Sequence, residues 1–103
     1  MNSFGQYLRS LRLQRKLLLR EVSADLGVDP SLLSRIEGDL KRCTREQVIR
    51  LAKILKASET EMLIHYLSDR VVYELKDEGL AMEAMKAAER KMRYMRRTDG
   101  KRR

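Results

Sequence analysis

LREVSADLGVDPSLLSRIEG, residues 19–38, is the stretch on which the fold turns. Leu19 to Leu26 has the length and spacing of a short helix, and Gly27 stands where a helix-ending glycine belongs. Val28-Asp29-Pro30 then reads as a restart. Asp is a good N-cap, and Pro at the first helical position supplies a pre-set φ and no wasted N–H. A second short helix therefore runs from Pro30 through Glu37 and stops at Gly38. Val22, Leu26, Leu33 and Ile36 are spaced to face inward and lock the two helices together. Pro30, Ser31, Ser34 and Arg35 are left facing outward.

Two short helices joined by a turn of this kind have the local signature of helix-turn-helix geometry. The surroundings are helical too. Ser3 caps a helix carrying Phe4, Tyr7, Leu8 and Leu11 on one face, expected to run to Lys16. Thr44-Arg45-Glu46-Gln47 is a capping box that opens a helix bearing Val48, Leu51, Ala52 and Leu55. Ser58-Glu59-Thr60-Glu61 is a second box, before a helix expected to reach about Lys76 and to use Leu63, Leu67, Val71 and Leu75. Asp77-Glu78-Gly79 breaks the pattern. A last helix is expected from about Leu80 to Arg97, followed by a frayed basic tail, Thr98 to Arg103.

Composition agrees with an all-α reading. The chain has 103 residues, one Pro, one Phe and no Trp. Leu, Ala, Met, Arg, Lys and Glu abound, and these side chains lose little rotamer freedom in a helix. One Cys, Cys43, and one His, His65, exclude an internal disulfide and a multi-cysteine metal site, and argue against zinc. Cys43 reads as structural or incidental, and His65 as a surface or packing residue. No signal-peptide pattern and no apolar run of membrane-spanning length is present, so a reducing cytoplasm is the expected compartment. No phosphate-cradling glycine loop, nucleophile set or paired-carboxylate motif points to an enzyme, and no cofactor is implied.

The net charge is +8. A balance this basic favours a polyanionic partner, although a solubilising surface gives the same number. The charge is segregated. Residues 1–57 carry 12 Lys/Arg and 6 Asp/Glu, residues 58–83 carry 2 and 7, and residues 84–103 carry 9 and 2. The acidic middle is ill suited to lie along a phosphate backbone.

From Leu17 to Leu55 the chain resembles the phage-repressor (Cro-like) helix-turn-helix regulators. The matching residues are Glu21-Val22, Leu26-Gly27-Val28, Leu33-Ser34-Arg35-Ile36-Glu37-Gly38 and Leu51-Ala52-Lys53-Ile54-Leu55. The resemblance implies a five-helix lambda-repressor-like domain, here extended by one C-terminal helix. The expected division is a DNA-binding domain over 1–67, a dimerising extension over 68–97 and a tail over 98–103. It further implies that Pro30, Ser31, Ser34 and Arg35 read bases. An Arg can hold guanine O6 and N7 bidentately, Ser is permissive, and Pro offers only apolar contact. The other readings are a solvated or salt-bridged Arg35 and capping or surface serines. Lys41 and Arg42, in the following loop, fall where the family contacts phosphate. Arg9, Arg12 and Arg20 are further phosphate candidates, with a solvated helix face as the alternative. Three departures stand out. Leu18-Leu19 replaces a polar pair at the second helix, Ser23 replaces a small Ala, and Cys43 stands where Pro is common.

Ala81, Met85, Ala88, Met92 and Met95 repeat at 4, 3, 4, 3, a short heptad seam of small and adaptable side chains. It is expected to pair two copies, which doubles the site and suits a palindrome. It can also pack on the chain's own fifth helix, or hold another protein or a membrane surface. The expectation is a homodimeric repressor of duplex DNA. The alternatives are an antitoxin-type interaction module, its acidic 58–83 block facing a basic toxin, and a restriction–modification controller.

Overall fold

Four of the helices begin where a side chain takes up an orphan N–H group. Residues 2–101 are described by the computed structural model, all-helical with no strand among the described residues. The helices are α1 (Phe4–Gln14), α2 (Leu19–Leu26), α3 (Pro30–Glu37), α4 (Arg45–Ile54), α5 (Glu59–Leu75) and α6 (Ala81–Lys101). Ser3 and Gln6 form a reciprocal capping box on α1, and Thr44 and Gln47 form one on α4. The Asp29 carboxylate accepts from the Ser31 N–H at 2.9 Å to open α3. Ser58 Oγ accepts from the Glu61 N–H at 3.1 Å. Helices α2 and α6 each follow a leucine, Leu18 and Leu80, and so start without a side-chain cap. Leu18 has no acceptor, and the Glu21 carboxylate covers just the Leu18 N–H, at 2.8 Å.

The chain divides into two compact units, Met1–Val71 and Val72–Arg103. In the first, α3 packs on α1 and α2, and α2 packs on α4. The core joins Phe4 and Leu8 of α1, Val22 and Leu26 of α2, and Leu33 and Ile36 of α3. Cys43, Val48, Leu51, Ala52, Leu55 and Met62 complete it. All four residues expected to lock α2 onto α3 are at most 2% exposed. Gly27 ends α2 at φ +80°, a left-handed turn that glycine adopts without a Cβ clash. Ser23 is buried and donates its hydroxyl to the Arg20 carbonyl at 3.0 Å, so a polar side chain is tolerated where helices meet. Gly5 has a different role. A Cβ there would lie 2.5 Å from the Glu37 carbonyl oxygen, so α1 can approach the end of α3 only over a glycine.

Two expectations need correcting. On α5 the inward face is Met62, with Leu63 and Tyr66 partly buried behind it. Leu67 and Val71 are 42% and 45% exposed, on a second apolar stripe with Ile64. The helix is apolar on two sides, and periodicity alone does not say which one meets the core. The last helix does not fray after Arg97 but continues through Lys101. Thr98 stays in it by donating its hydroxyl to the Tyr94 carbonyl at 3.0 Å. Residues 102 and 103 of the expected tail lie outside the described residues.

The second unit comprises the last residues of α5, the turn after it and α6. Along α6, Ala81, Met85 and Ala87 are half-buried, and Met82, Ala88, Met92, Tyr94 and Met95 are exposed.

Candidate nucleic-acid interface

The outward face of α3 is built by exclusion. Leu33 and Ile36 go into the core, so residues one turn apart on the other side stand in solvent. Pro30, Ser31, Ser34 and Arg35 are all exposed. Ser31 and Arg35 are four residues apart and Ser31 and Ser34 three, which places them on one face. No hydrogen bond or ion pair engages the Arg35 guanidinium among the described residues, so the salt-bridged alternative is not what the geometry presents. Ser31 is partly committed to capping. Its hydroxyl donates to the Asp29 carboxylate at 2.8 Å, which leaves the oxygen lone pairs as its outward function. The two Ser31 hydrogen bonds, backbone first and hydroxyl second, lower the Asp29 carboxyl below its ordinary range.

Lys41 and Arg42 are exposed in the loop between α3 and α4. That loop is braced at both ends. Before the basic pair, Asp39 adopts φ +60°, and its carboxylate accepts from the Gly5 N–H at 2.9 Å and from the Ser3 hydroxyl. After the pair, Cys43 is buried and its carbonyl accepts from the Tyr66 hydroxyl at 2.9 Å. Phe4 supports this end from both sides. Its N–H donates to Asp69 of α5 at 2.8 Å, and its ring meets Tyr66 edge-on with centroids 5.7 Å apart. The cations are thus carried on a tethered segment. Asp39, Tyr66 and Asp69 were not read as site-forming residues from sequence. Their partners lie 23 to 65 residues away, and only a left-handed, tolerant Asp after Gly38 gave any hint.

Arg12 has another occupation. Its Nε and Nη2 donate to the two Glu37 oxygens at 2.8 and 3.0 Å, and Nη1 donates to the Leu17 carbonyl at 3.0 Å. The two side chains are only 12% and 8% exposed. The hydrogen bond to Glu37 raises Arg12 above its already high ordinary value. A guanidinium held this way ties α1 to the end of α3, and it is not available to a phosphate. Arg15 likewise closes α4, donating to the Leu55 and Lys56 carbonyls at 3.0 and 2.9 Å. Arg9 and Arg20 remain exposed on α1 and α2.

The seam residues of α6 and the α3 face lie in different units. Cys43 is in the core, and burial pushes its thiol up from 9.0 to about 12. His65 stacks on Tyr7 at 4.1 Å between ring centroids, a packing role. Among the described residues no cluster of potential metal ligands occurs, and no helix is long and apolar enough to cross a membrane.

An outward helix N-terminal face beside a tethered basic loop is the geometry with which such motifs enter a major groove. The comparisons with known proteins speak to the same part of the chain. No curated protein and no solved structure matches it. A family model described as a helix-turn-helix domain matches residues 3–63, more than half of the chain. The chain belongs to the helix-turn-helix domain family, and its first unit has the build of a DNA-binding domain.

Proposed function

We propose that the protein is a sequence-specific duplex DNA-binding transcription regulator of the Cro-like repressor type, working as a homodimer on a palindromic operator in the cytoplasm. The observation that carries this reading is the exposed α3 face. Arg35 stands there with no partner among the described residues, and the loop carrying Lys41 and Arg42 is held beside it by the first unit's core. In this reading α3 enters the major groove. Arg35 takes a guanine edge, Ser31 and Ser34 contact neighbouring edges, and Pro30 packs on an apolar base group. Lys41, Arg42 and Arg20 set the register on phosphates. Arg12, held by Glu37, is left out of this set. Ala81, Met85, Ala88, Met92 and Met95 of α6 supply the dimer seam. Occupying a promoter with such a dimer would repress by exclusion of the transcription machinery.

The test is selection of bound duplexes from a random library at two salt concentrations. A recovered palindrome with half-sites about one helical turn apart, or a multiple of it, supports the reading. Binding that is steeply salt-dependent and free of any motif overturns it, and leaves only the attraction of a basic chain for a polyanion.

A further inference from the structure

Helix α6 is two-sided. On the side away from the seam of Ala81, Met85, Ala88, Met92 and Met95 stand Lys86, Arg90, Arg93 and Arg97, at spacings of 4, 3 and 4 and all exposed. With 3.6 residues per turn, the centres of the two rows lie about 150° apart round the helix. In heptad terms the four cations hold the b and f positions. Whatever covers the seam therefore leaves them on the outer side of that contact. Between Lys86 and Arg97 the one carboxylate is Glu89, which lies off the row and pairs with Arg93 at 2.6 Å. Arg93 itself stays 75% exposed.

Such a row is unfavourable for a helix in water. Lys86 and Arg90, and Arg93 and Arg97, are like charges four residues apart, Arg90 and Arg93 are three apart, and neighbours of this kind repel. A solubilising face is served as well by interleaved Glu and Lys, which stabilise the helix instead. The helix dipole favours cations only in the last turn, and Lys86 and Arg90 lie three turns or more before Lys101. A partner with closely spaced negative charge removes the repulsion. We propose that the row is a second, sequence-independent phosphate-contacting surface for duplex DNA, carried by α6 and distinct from the α3 face. From Lys86 to Arg97 it runs about 16 Å, over which one strand of a duplex presents about five phosphates, so the densities of charge match. The first unit has the build of a DNA-binding domain, so this polyanion is already at hand. A lipid surface fits less well. The seam is alanine and methionine, without the Trp, Phe or Leu with which an interfacial helix enters a bilayer, and its insertion would turn the row away from the headgroups. The contact works for a single α6 and for a paired one alike.

The experiment is the salt dependence of full-chain binding to a duplex of arbitrary sequence, read as log affinity against log salt. Arg90→Gln with Arg97→Gln removes two cations of the row. Lys91→Gln with Arg96→Gln removes two from the edges of the seam, for the same loss of net charge. Gln is a good helix former and all four positions are exposed, so both chains should keep their helical circular dichroism. The row variant should lower the slope by about 2 per bound chain, at about 0.9 for each phosphate contact, and the edge variant by less than about 1. Arg90→Lys with Arg97→Lys should keep the parent slope. Equal losses from the two Gln pairs would reduce the effect to net charge and overturn the proposal. An unchanged slope in the row variant makes the row a solvated face and overturns it too. Binding to anionic phospholipid vesicles that is lost with the row, while the DNA slope is kept, would assign the row to a lipid surface and overturn it as well. Selection from the random library tests the sequence-specific reading separately. A parent chain that recovers no motif overturns that reading, and the difference between the two Gln pairs still decides the row.

Discussion

Arg35 and Arg12 are both arginines on helices of the same domain, and their surroundings leave the first exposed and hold the second in an ion pair with Glu37. Arg35→Ala should cost about 1–3 kcal/mol of discrimination at one base pair per half-site while leaving the melting temperature nearly unchanged. Competition binding on singly substituted operators reads this out. If every base preference survives the change, Arg35 is not the reader. Arg12 belongs to stability instead. Glu37→Ala would leave a guanidinium only 12% exposed with no counter-ion, and unfolding should show a loss of about 3–5 kcal/mol. Replacing both Arg12 and Glu37 by Leu should return most of that, since the pair's desolvation cost disappears with it. Cys43 offers a third contrast. Its thiol stays protonated in the folded chain well above the pH at which an open thiol ionises. The native protein should therefore resist iodoacetamide at pH 8 and react once unfolded. Because the folded value is raised, the stability linked to this thiol is full below 9.0 and falls as pH climbs towards 12. Rapid native labelling would contradict the buried placement.

Among the helices of the first unit, α2 is the one begun without a side-chain cap. Leu18 sits at the cap position with extended backbone (φ −81°, ψ 151°), half exposed, and its side chain accepts nothing. Leu18→Ser keeps that backbone and adds an acceptor for the N–H of Glu21 or Arg20. It should stabilise the fold by about 0.5–1 kcal/mol, measurable as a rise in the urea midpoint at constant slope. An unchanged or lower midpoint would mean that the Leu18 side chain contributes more through packing than a cap can supply. The α1–α3 junction shows the reverse case, where everything is already satisfied. Ser3, Gln6, Asp39 and Asp69 between them cover the first N–H groups of α1, which closes that helix end to any anion and holds the basic loop in place. Helix α5 is apolar on two faces, one serving the core through Met62 and one, with Ile64, Leu67 and Val71, exposed.

For the protein as a unit, the segregation of charge matters more than its sum. Binding to duplex DNA should weaken linearly in log affinity against log salt, through the first unit's cations. Lys41→Ala should weaken all sequences alike and reduce that slope by about 1, with base preference intact. A change of preference without a change of slope would place Lys41 on a base edge.

Helix positions were legible in the chain because their signals are local. Asp29-Pro30, Gly27, Thr44-Gln47 and the inward spacing of Val22, Leu26, Leu33 and Ile36 each lie within a few residues of what they specify. Placed in order, they define an all-α helix-turn-helix and the outward set Pro30, Ser31, Ser34 and Arg35. Other features depend on contacts across the chain, and no local pattern carries them. Whether Arg12 meets a phosphate or Glu37 depends on how closely α1 approaches α3, which Gly5 permits. Which stripe of α5 faces inward depends on the space left by α1 and α4. The bracing of Lys41 and Arg42 depends on Asp39 reaching Gly5 and on Tyr66 reaching Cys43. Hydrophobic period specifies that a face is buried, whereas only packing in three dimensions selects the face and pairs the charges around it.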